Sequence, residues 1–154
     1  MKELLRIIIE SSKTKADNIY LLPISNGRTR VMTYTRTMIS ERIVDCYTDR
    51  IYTIPQSRIE YIKILFKRAK KGEDIDLIDI ASNSVPHNPE YNIDKAEQRI
   101  MSSEVACSFD VDYNELKKLC DAIKGTDGKL NIEVRDSLVI SNTEGDIGFL
   151  MPMG

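Results

Sequence analysis

The sequence predicts an α+β protein with antiparallel sheets and two or three amphipathic helices. Apolar residues recur at helical spacing over residues 57–71 and again over residues 113–123. Most other segments are short, alternate apolar with polar residues, and are separated by Gly, Pro, Asn or Asp, as antiparallel strands are. A chain of 154 residues fits one domain, or one and a half small modules.

The first 55 residues predict one helix and then four strands. The helix covers residues 2–13, although the β-branched run at residues 7–9 suits a strand as well. Its inward-facing residues are Leu4, Leu5, Ile8 and Ile9. The strands are predicted at residues 18–22, 28–35, 40–47 and 50–54. A Ser-Asn-Gly sequence at residues 25–27 is typical of a hairpin turn between the first two.

The middle of the chain begins after Pro55 with a helix over residues 57–71. The apolar stripe of this helix consists of Ile59, Ile62, Phe66 and Ala69. After Gly72, the alternating residues 74–80 predict a strand, residues 81–96 a long loop, and residues 97–105 a weak strand.

The C-terminal stretch predicts a strand, a helix and then three strands. The first strand is expected at residues 108–111, and Asp112 or Asn114 caps the helix that Gly125 ends. The three strands that follow are predicted at residues 130–134, 138–140 and 147–151.

Composition limits the class of protein. A net charge of −2 is not that of a globally basic nucleic-acid binder, but it leaves room for a local basic surface. The sequence contains no run of about 18 apolar residues, so no membrane span is expected. Cys46, Cys107 and Cys120 sit in apolar patterns and form no C-x-x-C pair, which indicates buried thiols in a reducing compartment and a cytoplasmic location.

Several C-terminal motifs occur in a specific order. Phe-Asp-Val-Asp-Tyr at residues 109–113 precedes the helix, and Leu-Met-Pro-Met at residues 150–153 closes the three-strand meander. Upstream, Ile-Ala-Ser-Asn at residues 80–83 precedes an acidic stretch. Over roughly residues 73–153 this order resembles the C-terminal domain of the DNA sliding clamp, the beta subunit of bacterial DNA polymerase III.

The resemblance implies clamp-like modules. Residues 1–48 would be a partial or degenerate half-unit, and residues 49–154 a clamp-like domain. Residues 54–80 also parallel residues 109–134 as strand, turn, helix, Gly and strand, and clamp domains contain two such halves. Two unrelated αβ units explain the same pattern.

The helix over residues 57–71 is a candidate DNA-facing element, because it carries six basic residues against one acidic residue, Glu60. Such a basic stripe suits contacts with phosphates that read no bases, and the resemblance implies that the helix lines a hole around double-stranded DNA. A solvated helix face explains the stripe as well. The basic residues are Arg58, Lys63, Lys67, Arg68, Lys70 and Lys71.

The C-terminal tail is the second candidate site. In sliding clamps this tail and the Tyr before the helix build an apolar pocket for peptides of DNA polymerases and clamp loaders. The matching residues are Tyr113, Leu150, Met151, Pro152 and Met153. Asp110 stands where clamps usually have Asn, and Gly154 replaces their usual final residues. Alternatively, Leu150 and Met151 simply fill the core.

No catalytic group, metal site or cofactor is expected. His87 is the only histidine and lies between two prolines, and Asp74, Asp76 and Asp79 lack the Gly and distal Glu of a calcium loop. The resemblance to sliding clamps then implies a non-catalytic accessory protein of DNA replication, a processivity factor that self-associates around DNA in a bacterial or phage-infected cell. One alternative is a stand-alone clamp-like interaction module, such as a phage decoy or adaptor, that does not encircle DNA. A second is a small enzyme whose catalytic groups the sequence does not show.

Overall fold

The computed structural model describes residues 1–70, 72–81, 90–105 and 107–153. Within these ranges the fold is α+β, as the sequence predicts, with five α-helices and two antiparallel sheets of four and three strands. The chain forms two compact units, Met1–Arg99 and Ile100–Gly154. The division lies far from the expected boundary after residue 48, because the strand at residues 52–55 completes the first sheet.

Unit 1 contains a four-stranded sheet in the order β3-β2-β1-β4. Short 3₁₀ turns follow its first helix at Ser12–Thr14 and precede its second at Gln56–Arg58. Its elements are α1 (Lys2–Ser11), β1 (Asn18–Ile24), β2 (Arg28–Tyr34), β3 (Ile39–Val44), β4 (Tyr52–Pro55), α2 (Ile59–Arg68), α3 (Leu77–Ile80) and α4 (Glu90–Met101).

The structure confirms the predicted helix and four strands of the first 55 residues. β1 and β2 pair antiparallel through the predicted hairpin turn. Asn26 and Gly27 at this turn have positive φ angles of 64° and 65°, which suit the twist of a tight hairpin. The isoleucine run at residues 7–9 belongs to the helix α1, in which Ile7 and Ile8 are both buried.

The core of unit 1 lies between the helices and one face of the sheet. α1 contributes Leu4, Leu5 and Ile8, all fully buried, and α2 contributes Ile62. On the sheet, the core residues are Ile19, Leu21, Val31 and Ile54. At about 1.5–3 kcal/mol for each fully buried large aliphatic side chain, this layer accounts for most of the apolar stabilisation of unit 1.

The opposite face of the four-stranded sheet holds a smaller apolar cluster of Tyr20, Leu22 and Met32. The rings of Tyr20 and Tyr34 stack with centroids 5.7 Å apart, and burial raises the pKa of Tyr20 to about 12. Arg30 lies 3.6 Å from a carboxylate oxygen of Asp94, so α4 approaches this face.

Three predicted elements of the middle region are wrong. Residues 77–80 form a helical turn instead of a strand, because the side chain of Asp76 caps it by accepting a hydrogen bond from Ile78 N at 2.9 Å. Residues 90–101 are the helix α4, where a loop and a weak strand were expected. α2 ends at Arg68, since Ala69 is already extended. Residues 82–89 of the predicted loop lie outside the described residues.

Unit 2 contains one helix and a three-stranded sheet in the order β5-β6-β7. Asp112 caps the helix as predicted, accepting a hydrogen bond from Glu115 N at 3.0 Å. The expected strand at residues 108–111 is absent from the described part of this unit. The proposed internal repeat therefore fails, because its first copy lacks the strand after the helix and its second copy lacks the strand before the helix. The elements are α5 (Tyr113–Ile123), β5 (Leu130–Val134), β6 (Leu138–Asn142) and β7 (Ile147–Leu150).

The packing of unit 2 is one-sided. α5 lies over β6 and β7 and leaves β5 largely uncovered. A side chain at Gly148 would place its Cβ 2.5 Å from Leu119 Cδ1, so the glycine allows α5 to approach β7 closely. Among the large apolar residues that the structure describes in this unit, only Ile140 is completely buried.

We predict that Gly148→Ala lowers the free energy of unfolding by about 1–3 kcal/mol, the usual cost of overpacking a core. Adding Leu119→Ala removes the obstructing methyl groups, so Gly148→Ala should cost less in that background. Urea denaturation of both single variants and the double variant measures this coupling. Simple additivity of the two effects would contradict the close contact.

Candidate functional site

The structure places most of the predicted basic residues on or next to α2. Arg58, Lys67, Arg68 and Lys70 are exposed, and Lys63 is half-buried. Because α2 ends at Arg68, Lys70 lies on the extended segment after it, and Lys71 lies outside the described residues. The helical stripe itself therefore consists of Lys63 and Lys67.

A groove between α1 and α2 brings further basic residues to this stripe. It encloses a cavity of about 240 Å³, and its lining residues are Arg6, Ile9, Glu10, Lys13, Lys63, Phe66 and Lys67. Four of these residues are basic and one is acidic. The sequence did not reveal the contribution of α1, because only the packing of the two helices brings Arg6 and Lys13 beside Lys63 and Lys67.

The groove has an apolar floor made by Ile9 and Phe66. Lys2 holds one side of Phe66, since its ammonium group lies 5.3 Å from the ring centroid. Lys2 Nζ also donates a hydrogen bond to the carbonyl of Ala69 at 3.1 Å, where α2 ends. These contacts fix the two helices to each other beside the groove.

Ion pairs determine which cations of the groove are already engaged. Arg6 pairs with Glu10 at 2.7 Å and also with Glu3, and Lys63 pairs with Glu60 at 2.6 Å. Lys13 and Lys67 make no ion pair within the described residues. Their ammonium groups therefore remain available to an external anion.

Glu10 is the carboxylate that connects α1 to the sheet. It accepts hydrogen bonds from Arg42 on β3 and from Arg6. The hydrogen bond from Arg42 holds the pKa of Glu10 below its usual value, and the charge of Arg6 adds to this effect. Glu10 is therefore ionised at neutral pH, and it orients Arg6 along the groove.

We define the helix layer as residues 2–15 and 56–68, which are α1 and α2 with their adjoining turns. It carries eight basic and three acidic residues, although the chain as a whole has a net charge of −2. Unit 2 has the opposite balance, with ten acidic and five basic residues in 100–154. The helix layer thus has a net charge of +5, whereas unit 2 has a net charge of −5.

The C-terminal tail forms an open surface. Tyr113, Met151 and Met153 are 70%, 68% and 57% exposed, and only Leu150, which pairs with Leu138 in the sheet, is half-buried. Met153 N donates a hydrogen bond to the carbonyl of Asp110 at 2.8 Å, which holds the tail beside the segment that leads into α5. Met151 therefore does not fill the core.

Two further residues considered in the sequence as candidate site residues are Asp76 and His87. Asp76 caps α3, and His87 lies outside the described residues. No three His, Cys, Asp or Glu side chains of the described chain are grouped so that they could hold a metal ion. None of its helices has the length and apolar character needed to cross a membrane.

Compared with protein-family models, curated proteins and solved structures, the chain has no match in any of the three. The likeness to sliding clamps therefore depends on the motifs at residues 80–83, 109–113 and 150–153 alone.

We predict that Glu10→Gln destabilises the protein at pH 7 by at most about 1 kcal/mol, as expected for a partly exposed ion pair. Since folding lowers the pKa of Glu10, its contribution is complete above the unfolded pKa of about 4.3 and is lost as the pH falls through the folded value. The difference between wild type and variant should therefore vanish in acid.

Urea denaturation at pH 7 and near pH 3 measures this difference. Asp45→Asn is the matched control, because Asp45 is exposed and has no ion pair in the described chain. A wild-type advantage that persists unchanged at low pH would contradict the assignment.

Proposed function

We propose that the protein is a non-catalytic DNA-replication accessory protein whose helix layer faces the phosphate backbone of double-stranded DNA. The observation that supports this proposal is the convergence of Arg6 and Lys13 with Lys63 and Lys67 on one groove. Cations from two adjacent helices present a surface wider than a single stripe, which suits the spacing of phosphates along a duplex.

The charge distribution supports contacts with phosphates in preference to bases. Lysines at the groove carry point charges without a fixed hydrogen-bonding pattern, so they attract DNA of any sequence. In the acidic unit 2, the charges on α5 are balanced, since Lys117 and Lys118 are matched by Glu115 and Asp121. DNA is therefore expected to contact unit 1 through the helix layer.

The replication role and self-association around DNA rest on the resemblance to sliding clamps. A processivity factor must hold DNA without sequence preference and without chemistry of its own. The helix layer fits the first requirement, and several copies of so short a chain would be needed to surround a duplex. The location that goes with this role is the cytoplasm of a bacterial or phage-infected cell.

We predict that Lys63→Glu combined with Lys67→Glu weakens binding to a duplex of arbitrary sequence by at least tenfold near 0.1 M salt. Loss of two phosphate contacts should also reduce the slope of log K against log salt by about 2. Fluorescence anisotropy of a labelled duplex at several salt concentrations measures both effects. Lys13→Glu should weaken binding as Lys67→Glu does, because both cations lie on one groove.

The matched control for this experiment is Lys117→Glu with Lys118→Glu, which makes the same change in net charge on α5. It should leave most of the affinity intact. Equal losses in both double variants would indicate a general effect of net charge and would contradict the helix layer as the binding face.

A second candidate function is peptide binding through the tail, as in the stand-alone interaction module. The observation that favours it is the exposure of Met151 and Met153 on a tail that is hydrogen-bonded to Asp110. Exposed methionines adapt to varied apolar ligands, and a fixed backbone lowers the entropic cost of binding. Peptides from the tail of a DNA polymerase or from a clamp loader are the proposed ligands.

We predict that Met151→Ala and Met153→Ala each weaken binding of a polymerase-tail peptide several-fold, because each removes exposed apolar contact area. Isothermal titration calorimetry with the unlabelled peptide measures the affinity. Met38→Ala is the control, since Met38 is comparably exposed but lies in unit 1. Equal binding by wild type and both tail variants would count against the site.

A further inference from the structure

We propose that β5 is a dimerisation strand, which pairs antiparallel with β5 of a second copy of this chain. β5 is an edge of the sheet of unit 2, because β6 pairs with only one side of it. Such an edge presents a row of backbone donors and acceptors that a further strand can satisfy. It specifies one contact for the self-association in the proposed function, and it can be tested without DNA and without a tail peptide.

The side chains of β5 are uncovered on the face where α5 lies. Ile132 and Val134 point to that face together with Ile140, with which Ile132 is paired, yet they are 55% and 50% exposed. α5 packs mainly on β6 and β7, so it covers these two side chains only in part. The strand contains no proline, which is one of the usual devices that block pairing at an edge.

The sequence of β5 is complementary to itself in one antiparallel register. When two copies pair about Asn131, Lys129 of each lies opposite Glu133 of the other, and Leu130 lies opposite Ile132. Residues directly opposite share a face of the sheet. The register therefore places two ion pairs on one face and apolar pairs on the other.

Neighbouring registers are less favourable. Pairing about Ile132 would oppose the like charges of Lys129 and Arg135, and pairing about Glu133 would oppose two carboxylates. A shift by a single residue between the strands would bring apolar side chains opposite polar ones. Charge complementarity thus selects the register about Asn131, in which a second copy is the partner that fits.

The edge strand β3 of the other sheet differs in this respect. Its charged residues are engaged inside the chain, with Arg42 paired to Glu10 and Glu41 lying 3.5 Å from Arg30. Lys129 makes no ion pair in the described residues, and Glu133 contacts only its exposed neighbour Arg135, at 2.7 Å. β5 therefore has charges that a second copy can pair.

The resulting dimer should be reversible. The contact comprises five residues from each copy, which is small against the roughly 800 Å² that each partner buries in a standard stable interface. A two-fold contact is also closed after two copies. We therefore expect a mass that rises with concentration from that of one chain, 17.6 kDa, towards twice that value.

Light scattering on a size-exclusion column at two protein concentrations tests the proposal with the full chain. Lys129→Glu and Glu133→Lys each bring like charges together twice, so each should weaken dimerisation at least tenfold. The double variant Lys129→Glu/Glu133→Lys restores both ion pairs and should dimerise again. An equimolar mixture of the two single variants should also form dimers, since the heterodimer contains two matched pairs.

Cross-linking tests the register separately, in a Cys107→Ser background that removes an exposed thiol. Asn131→Cys places two thiols opposite each other across the two-fold axis and should form a covalent dimer on oxidation. Glu133→Cys places the two thiols about four residues, or roughly 13 Å, apart, so this variant should form no covalent dimer. Circular dichroism confirms that each variant is folded.

Three results would overturn the inference. One is a wild-type mass that stays at a single chain at both concentrations. Another is an oligomer whose mass neither single charge reversal changes. The third is more efficient cross-linking through Glu133→Cys than through Asn131→Cys, which would exclude the register about Asn131.

Discussion

The burial of α1 and α2 on one face of the four-stranded sheet is the constraint on which the rest of unit 1 depends. Leu4, Leu5 and Ile8 are fully buried there, so α1 can turn only its polar side to solvent. α2 is bound by the same requirement through Ile59 and Ile62. Two helices that share one sheet face must lie side by side, and their polar edges therefore meet in a groove.

The elements with strong periodicity could be predicted from the sequence, because the pattern itself records which face is buried. This holds for α1, α2, α5 and the hairpins. The strand predicted at residues 74–80 is wrong, because alternating Asp and Ile residues fit a strand as well as a capped helical turn. The cap by Asp76 favours the helical turn. Only half of the groove could be predicted, because the approach of Arg6 and Lys13 is set by tertiary packing.

Unit 2 illustrates the limit of a small core. A single helix packs mainly on two of its three strands, so Ile132 and Val134 on β5 and Met151 and Met153 in the tail stay at least 50% exposed. Small domains bury a lower fraction of their surface than large ones. The exposed strand and the exposed tail are therefore two consequences of one packing deficit, and apolar patches of this kind commonly mark interaction sites.

The separation of charge allows the two units to act without competing. In the proposed function, the basic helix layer of unit 1 is the face that attracts DNA, and unit 2, in which acidic residues outnumber basic ones by ten to five, is the part that repels it. The proposed contact between copies uses residues of unit 2, whereas the proposed DNA contacts use residues of unit 1. If both proposals hold, two linked helix layers would bind one duplex with an increased effective concentration. Weak dimerisation and weak phosphate contacts would then reinforce each other, and DNA would favour the dimer by linkage.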